Sequence, residues 1–356
     1  MSVEKDEMNN IAEALDADRD NGRAITTFYD ARASGGDTPF TRYVKNNRLW
    51  LGTLMFLVAL LMVFTAMAPS VFLGPRIYYS VATTLPVAMV LAVPAVFVVT
   101  AGEIDLSFPA VMGLCGLFFA ASVSAGIDPF LAFLIALSGG VLVGFSVGAI
   151  VVYGKLSSLV ATLGVNFAIR GLMFVLTDGN SIAVLQLRDS LFRRIFMGDI
   201  LGIPGHLVWA LVFVVICYVI YKYHRFGIHV HHIGDNPESA RAMGIDVDWT
   251  RCLLFAFMGL GAALAGVISI LINYTWWPTS GDALLLVVLA AVFVGGTPTW
   301  GGVGTIVGAV LGAVIVTLMD VGVIAAGLSG FYTQLVSGVI IILALIGHRL
   351  QSARVR

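Results

Sequence analysis

Charged side chains are scarce in this chain. Only 12% of its 356 residues are Asp, Glu, Lys or Arg, whereas 59% are hydrophobic and the mean hydropathy is +0.95. Ordinary soluble domains contain roughly 25% charged residues, so this composition excludes a soluble globular domain. Several windows of about 20 residues carry no charge, which is the length that a helix needs to cross a bilayer. The sequence therefore predicts an integral membrane protein.

Disulfide and nucleotide-binding signatures are lacking as well. The three cysteines lie far apart, in or beside apolar runs: Cys115, Cys217 and Cys252. This spacing fits neither a disulfide framework nor a metal site, and it predicts packed thiols. The glycine-rich stretches 139–148 and 301–312 are not followed by Lys-Ser or Lys-Thr, so neither is a phosphate loop. Their small residues favour close packing of helices instead.

Apolar windows separated by polar, glycine or proline residues predict about ten transmembrane helices. The windows lie near 49–68, 78–99, 107–125, 130–152, 160–177, 207–222, 251–272, 284–296, 302–322 and 332–347. Pro86 and Pro94 fall inside the second window and predict a kink or an interruption there. The transmembrane domain thus covers residues 49–347. It follows a polar tail (1–48), in which we expect no cleavable signal peptide, and precedes a short C-terminal tail (348–356).

Basic residues are distributed unequally between the two sides of the predicted spans. If both termini are cytoplasmic, fifteen Lys and Arg residues lie inside and four lie outside, which follows the positive-inside rule. Trp276 and Trp277, just after the seventh window, would then anchor the chain at the external interface. The external segment 185–196 mixes apolar and polar patches and is too short to span. It either lies along the interface or presents a docking surface.

Two carboxylates, Glu103 and Asp105, interrupt the apolar sequence between Gly102 and Pro109. Ionisable groups at membrane depth are costly and therefore functional candidates. The flanking Gly and Pro predict a broken helix, which is tolerated only beside buried protein or a solute pathway. Asp105 and Ser107 also fit the preferences of a helix start, which favours a capping role for Asp105 over direct solute contact. Glu103 either pairs with a basic group or faces water.

Thr162, Asn166 and Arg170 are spaced four residues apart and share one face of the fifth predicted helix. A polar row in an apolar helix is expected to face inward, where it bonds another helix or lines a path. Arg170 is a candidate partner of Glu103 or Asp105. These five residues are the candidate pathway residues, although structural pairing is favoured over pathway lining for the row.

The largest predicted inside loop covers about residues 223–250 and contains two patterns. His229, His231 and His232 alternate as in a strand or an irregular segment and lack further Cys or His ligands, so we predict no metal site. The Asn-Pro-Glu sequence at 236–238 suits a helix start, because Asn caps, Pro fits the first turn and Glu favours the helix dipole. We therefore expect a short cytoplasmic helix that offers its surface to another protein.

Four motifs, taken together and in order, resemble the membrane permease of sugar-type ATP-binding-cassette importers, the ribose-permease family. They are Gly102-Glu103-Ile104-Asp105-Leu106-Ser107, then Ala161-Thr162-Leu163-Gly164 with Arg170-Gly171, then Ile233-Gly234-Asp235-Asn236-Pro237-Glu238-Ser239-Ala240-Arg241, and Gly295-Gly296-Thr297-Pro298-Thr299-Trp300-Gly301-Gly302. The resemblance covers about residues 50–347. Glu103 stands where the family usually has Gly, and Phe108-Pro109 where small residues are common. An added carboxylate beside the break bears on the solute more than on the fold.

The resemblance implies an all-α membrane fold of about ten spans, of the vitamin B12-importer (type II) kind with broken helices. It implies a bacterial inner-membrane location, a second permease subunit, a cytoplasmic ATPase that binds ATP and Mg, and an external solute-binding protein. Membrane lipid surrounds the chain, and no nucleic acid is expected. The loop around 233–246 resembles a coupling helix seated in the ATPase, with these coupling residues: Asn236, Pro237, Glu238, Arg241 and Met243.

The expected function is a translocation pathway for a sugar or sugar-like solute. The chain itself would hold no cofactor and perform no covalent chemistry. Two alternatives remain open at this point. In a stand-alone secondary transporter, Glu103, Asp105 and Arg170 would carry proton or ion coupling. In a membrane scaffold or receptor subunit, the inside loop would recruit a partner without transport.

Overall fold

A computed structural model describes residues 48–200 and 202–325, with residues 327, 329, 332, 335, 338, 339 and 342. The two predicted tails and the tenth predicted span lie outside these residues, apart from Arg48 and scattered positions of the span. In chain order the α-helices are α1 (Arg48–Met67), α2 (Pro69–Phe72), α3 (Pro75–Thr100), α4 (Phe108–Ser124), α5 (Pro129–Tyr153), α6 (Ser158–Thr177), α7 (Leu191–Met197), α8 (Gly205–Tyr223), α9 (Arg225–Asp235), α10 (Pro237–Ala242), α11 (Val247–Asn273), α12 (Leu284–Val294) and α13 (Ile306–Ala325). Two antiparallel pairs of two-residue strands also occur in this part of the chain: β1 (Ile182–Ala183) with β4 (Thr275–Trp276), and β2 (Asp199–Ile200) with β3 (Ile203–Pro204).

Seven of the described helices are long and apolar enough to cross a membrane: α1, α3, α5, α6, α8, α11 and α13. Two further apolar helices are shorter, with 17 residues in α4 and 11 in α12. Each of the first nine predicted windows coincides with one of these helices. The prediction of a mostly helical, multi-pass membrane protein is therefore confirmed, while the count of about ten spans stays a prediction.

Helix α3 continues through both of its prolines, so the interruption predicted there does not occur. Pro94 cannot donate the helical hydrogen bond to the carbonyl of Val90. Gly261 of α11 lies against Pro94 and this same carbonyl, and a Cβ there would come within 2.7 Å of Pro94 Cγ and 2.9 Å of Val90 O. The close approach of α11 thus shields the backbone group that the proline leaves without its usual donor.

Helix α11 lies at the centre of the fold and packs against α3, α4 and α5. Its contact with α5 depends on glycine, because a Cβ at Gly144 would overlap the carbonyl oxygen of Phe255, and one at Gly140 would overlap that of Gly259. At the second glycine-rich stretch, Gly308 of α13 lies against the backbone of Gly295 in the same way. The prediction that these stretches allow close helix packing is confirmed.

Trp276, which the sequence predicts to be an interfacial anchor, lies at the end of the bundle that carries the four strands. Trp276 is fully buried, and its Nε1 donates to the carbonyl of Gly113 at 2.7 Å. Its position in β4, paired with Ile182, turns its side chain inward and leaves Trp277 45% exposed. An interfacial position is therefore wrong for Trp276, because neighbouring residues of a strand point to opposite sides.

The segment 185–196, which is predicted to be external, packs onto the helices through one aromatic side chain. Phe192 of α7 is buried among other aromatic rings at centroid distances of 4.6–5.8 Å: Phe119, Phe130, Phe133 and Phe196. Leu185, Leu191 and Ile195 remain exposed. The segment is therefore anchored to α4 and α5 and also presents apolar side chains outward.

The histidine-rich stretch forms helix α9, so the strand-like or irregular conformation predicted for it is wrong. Its buried residues, Gly227, Val230 and Ile233, recur every three positions, which is a helical spacing. His224 supplies the cap, because its Nδ1 accepts from the N–H of Phe226 at 3.1 Å. The alternating histidines misled the prediction because the buried face is made by other residues of the helix.

Candidate functional site

Three irregular segments separate apolar helices and define the candidate site. The first break, residues 101–107, joins α3 to α4; the re-entrant segment, residues 277–283, follows β4; and the second break, residues 295–305, joins α12 to α13. A Cβ at Gly281 would lie 2.6 Å from the carbonyl oxygen of Pro109, so the re-entrant segment reaches the start of α4. Irregular backbone at membrane depth needs partners inside the protein, and each segment finds them.

Polar side chains hold the first break in place. Asp105 Oδ1 accepts from the N–H and the hydroxyl of Ser107 at 2.7 and 2.6 Å. Thr162 Oγ1 accepts from Leu106 N at 2.9 Å and donates to Ser158 O at 2.7 Å. Asp105 thus satisfies hydrogen-bond donors in the turn just before α4. Thr162 fixes the first break against α6. Both side chains therefore form hydrogen bonds with backbone groups.

Glu103 forms an ion pair with Arg251 in the first turn of α11. The distance from Glu103 Oε1 to Arg251 Nε is 3.0 Å, and the two side chains are 10% and 25% exposed. The predicted partner, Arg170, lies twelve residues beyond Ser158, or about 18 Å along α6 at 1.5 Å per residue. Ser158 itself contacts the first break through its bond to Ile104 N. The predicted pairing of Arg170 with Glu103 or Asp105 is therefore wrong, because the two charges lie at different depths.

Arg170 instead holds the re-entrant segment. Its Nη1 donates to the carbonyls of Pro278 and Ser280, and its Nη2 forms an ion pair with Asp282. The arginine side chain is 10% exposed and that of Asp282 51% exposed. One guanidinium therefore satisfies two carbonyls and a carboxylate of an irregular segment, which its planar set of donors suits.

Asn166 lies between Thr162 and Arg170 on the same face of α6. Its Oδ1 is buried and has no hydrogen-bond partner within the described ranges 48–200 and 202–325. Thr162 and the two Nη groups of Arg170 are engaged by backbone or carboxylate oxygens. In this row of side chains, Asn166 thus retains an unpaired acceptor between the first break and the re-entrant segment.

The end of α3, directly before the first break, is bonded to the second break and to α8 and α9 at one place, which we name the Thr100 junction: Thr100, Tyr221, His231, Gly234 and Gly302. Gly302 N donates to Thr100 O at 2.8 Å, and His231 Nδ1 donates to Gly302 O at 2.9 Å. The hydroxyls of Thr100 and Tyr221 are hydrogen-bonded at 2.8 Å. A Cβ at Gly234 would overlap Thr100 O and lie 2.5 Å from Gly302 N. The junction therefore fixes α9 directly against the second break and against the end of α3, from which the first break continues.

Helix α10 follows α9 immediately and is capped as the sequence predicts. Asn236 Oδ1 accepts from the N–H groups of Glu238 and Ser239 at 2.9 and 3.0 Å. Arg241 forms an ion pair with Asp248 of α11 at 2.6 Å, with both side chains about half exposed. The prediction of a short, Asn-capped helix is confirmed. Its exposed surface carries Glu238, Arg241 and Met243.

Comparison with known proteins decides the family. Residues 77–345 match the family model described as the permease component of branched-chain amino acid transport systems. The chain belongs to this permease family. It is 32% identical over 303 residues to the ribose import permease of Bacillus subtilis strain 168, covering 85% of this chain and 94% of that protein. It is 31% identical over 305 residues to the D-allose transport system permease of Escherichia coli K12, with 85% and 92% covered. The autoinducer 2 import system permease of Photorhabdus luminescens is 32% identical over 266 residues, with 73% and 78% covered.

Several residues that organise this permease were not among the predicted site residues. Arg251 was counted only as an inside charge, and Asp282 was not considered; yet each is the partner of a charge that was singled out. Charged residues flanking a predicted helix were the available signal, since a buried charge needs an opposite charge. Tyr221 and His231 gave no comparable signal, because their contacts join segments that are distant in sequence.

Substitution of Asp105 separates its hydrogen bonds from its charge. Asp105→Asn keeps an oxygen that can accept from Ser107, so we expect normal assembly and solute uptake. Asp105→Leu leaves the two Ser107 donors unsatisfied, which costs about 1–3 kcal/mol, and is expected to lower the melting temperature of the purified chain. Thermal unfolding in detergent and uptake into vesicles measure the two effects. Lost uptake in a normally assembled Asp105→Asn permease would show that the charge itself is required.

Proposed function

We propose that this permease is the membrane subunit of an ATP-binding-cassette importer for a sugar or sugar-like solute. The relatives named as ribose, allose and autoinducer 2 permeases match it over most of their length, which supports this solute class. The importer would contain a second permease subunit, a solute-binding protein outside and an ATPase inside that binds ATP and Mg. The ten-span, type II fold and the inner-membrane location, with both termini cytoplasmic, belong to the same proposal.

The observation that carries the proposal is the link from α10 through α9 to both breaks. Helix α10 is too short to be stable alone and exposes a mixed-charge surface, which suits a docking contact. Asn236 ends α9 and begins α10, so a displacement of α10 is passed to α9. The Thr100 junction then passes it directly to the second break and, through the end of α3, to the first break. Closure of the ATPase dimer around ATP would supply the displacement, and alternating access of the pathway would follow.

Asn166 is the strongest candidate for solute contact in the row on α6. Its unpaired Oδ1 can accept from a sugar hydroxyl when the pathway exposes it, whereas Thr162, Asp105 and the Nη groups of Arg170 are occupied by structural bonds. Transport needs weak contacts, because a solute held tightly in the pathway would not leave it. A single unpaired acceptor meets that requirement. We assign the high affinity for the solute to the solute-binding protein.

The geometry gives no support to a secondary transporter built on Glu103, Asp105 and Arg170. Each of the three groups already has a partner of its own: Arg251, Ser107 and Asp282, respectively. Uptake into vesicles that contain the permease with its ATPase and solute-binding protein distinguishes an importer driven by ATP from a secondary transporter. Uptake that requires internal ATP supports the importer, whereas uptake driven by an ion gradient without ATP would overturn it.

Alanine substitutions on α10 test its contact with the ATPase. In the reconstituted complex, Glu238→Ala combined with Arg241→Ala is expected to lower solute-stimulated ATP hydrolysis and uptake at least about tenfold, because two charged contacts worth about 1–3 kcal/mol would be lost. Asp248→Ala is the matched control, since it removes the intramolecular partner of Arg241 and leaves the surface of α10 unchanged. Unchanged hydrolysis and uptake in the double variant would contradict the coupling role. An equal loss in Asp248→Ala would mean that Arg241 acts by positioning α10.

A further inference from the structure

A cavity of about 300 Å³ lies on the side of the bundle between α3, α5, α7, α8 and α11. Its walls are almost entirely apolar and aromatic, and include Phe133, Phe196, Trp209, Phe213 and Leu264. Trp209 Nε1 donates to the carbonyl of Ile195 at 3.1 Å and is therefore occupied. The cavity is distinct from the row on α6 and from the Thr100 junction, and neither the transport pathway nor the coupling contact uses it.

One polar group in the wall lacks a partner. His206, near the start of α8, is 3% exposed and lines the cavity. Its Nε2 lies 3.0 Å from Thr83 O, and because a carbonyl can only accept, Nε2 carries the hydrogen. In the neutral ring Nδ1 is then a bare acceptor, and it is buried without a hydrogen-bond partner in the part of the chain that the structure describes. Buried polar groups normally have a partner, so the ring indicates a missing donor.

We propose that the cavity binds a membrane amphiphile that consists of one alkyl chain ending in a hydroxyl group. The hydroxyl donates to His206 Nδ1, and the chain occupies the apolar walls. A water molecule alone is a poor occupant, since a buried water needs two to four polar partners and the walls offer one. A cavity of this volume is at the small end of ligand sites and holds one chain, not a whole phospholipid. The apolar walls select against the polyhydroxylated solute of the pathway.

Photolabelling with matched probes tests the site in the full-length permease reconstituted in bilayers. The first probe is decanol with a mid-chain diazirine, the second is the same hydrocarbon without the hydroxyl, and the third is phosphatidylcholine with a diazirine in one chain. Labelled residues are located and quantified by mass spectrometry of α8 and α11 peptides. We expect the alcohol to label residues around the cavity about three- to tenfold more than the hydrocarbon, which is the value of one net hydrogen bond.

Two substitutions of His206 test whether Nδ1 causes the preferential labelling by the alcohol over the hydrocarbon. His206→Asn keeps an acceptor near the position of Nδ1, whereas His206→Gln keeps a donor near that of Nε2 and removes the Nδ1 acceptor. The preference for the alcohol is expected to persist in His206→Asn and to disappear in His206→Gln. Its persistence in His206→Gln would overturn the proposal. Two results with the wild-type chain alone would also overturn the proposal. One is equal labelling by the alcohol and the hydrocarbon, and the other is labelling by phosphatidylcholine that is as strong as labelling by the alcohol.

Discussion

Gly234→Ala is expected to abolish ATP-driven solute uptake by the reconstituted importer while leaving the chain inserted in the membrane. A Cβ at this position would overlap Thr100 O and lie 2.5 Å from Gly302 N. The methyl group must therefore separate the two atoms whose hydrogen bond joins the end of α3 to the second break. Both neighbours are backbone, so neither can move aside by a rotamer change. The substitution should disconnect α9 from the breaks and also stop solute-stimulated ATP hydrolysis.

Gly52→Ala is the matched control for this experiment. It is also a glycine in a helix, and no heavy atom lies within 4 Å of its ideal Cβ. The gain in helix propensity is about 1 kcal/mol in both variants, so a difference between them reports the contact at position 234. We expect wild-type uptake from Gly52→Ala. Wild-type uptake from Gly234→Ala as well would show that the Thr100 junction transmits nothing, and co-purification with the ATPase checks that the complex still assembles.

The spans of the described region could be predicted because composition alone determines them. Apolar windows that hold at most one charged residue have few alternatives to a membrane helix, and nine of them coincide with α1, α3, α4, α5, α6, α8, α11, α12 and α13. The break at Gly102 was also predictable, since Gly, two carboxylates and Pro occur together there. Local chemistry was sufficient in each case.

The re-entrant segment was not predicted, because its stability comes from distant residues. The sequence Trp276-Trp277-Pro278 is typical of a membrane interface, and local preference favours that interpretation. The pairing of β1 with β4 buries Trp276, and Arg170 satisfies the carbonyls that follow it. Neither contact leaves a pattern in the segment itself. Arg251 differs in that its charge was visible in the sequence, but its proximity to Glu103 depends on the packing of α11 against the first break.

Glu103 acquires a structural role from this pairing. It lies within the first break, at the end of the bundle where α11 begins, and its charge is compensated by Arg251. A carboxylate at this position therefore does not require a proton or ion pathway. Since Arg251 lies near the start of the central helix, the ion pair connects the first break to α11, whereas the hydrogen bond of Thr162 connects it to α6.

Arg170→Lys is expected to destabilise the permease by about 3 kcal/mol and to reduce uptake severely, although the positive charge is kept. A lysine ammonium cannot reproduce the planar arrangement in which Arg170 contacts the carbonyls of Pro278 and Ser280 and the carboxylate of Asp282. Hydrogen bonds to charged groups contribute about 1.5–3 kcal/mol each, and the carbonyls would be left unsatisfied at membrane depth. Thermal unfolding of the purified chain measures the loss of stability, and limited proteolysis within 277–283 measures the release of the re-entrant segment.

Asp282→Asn identifies which of these contacts matters. Asp282 is half exposed, so the free energy of its ion pair is reduced by solvent screening, and the two carbonyl bonds of Arg170 remain in this variant. We expect a smaller loss of stability than in Arg170→Lys and a re-entrant segment that stays resistant to protease. If Asp282→Asn were as damaging as Arg170→Lys, the ion pair and not the carbonyl bonds would hold the segment. If Arg170→Lys retained wild-type stability, the re-entrant segment would be fixed by the burial of Trp276 and the contact of Gly281 with Pro109.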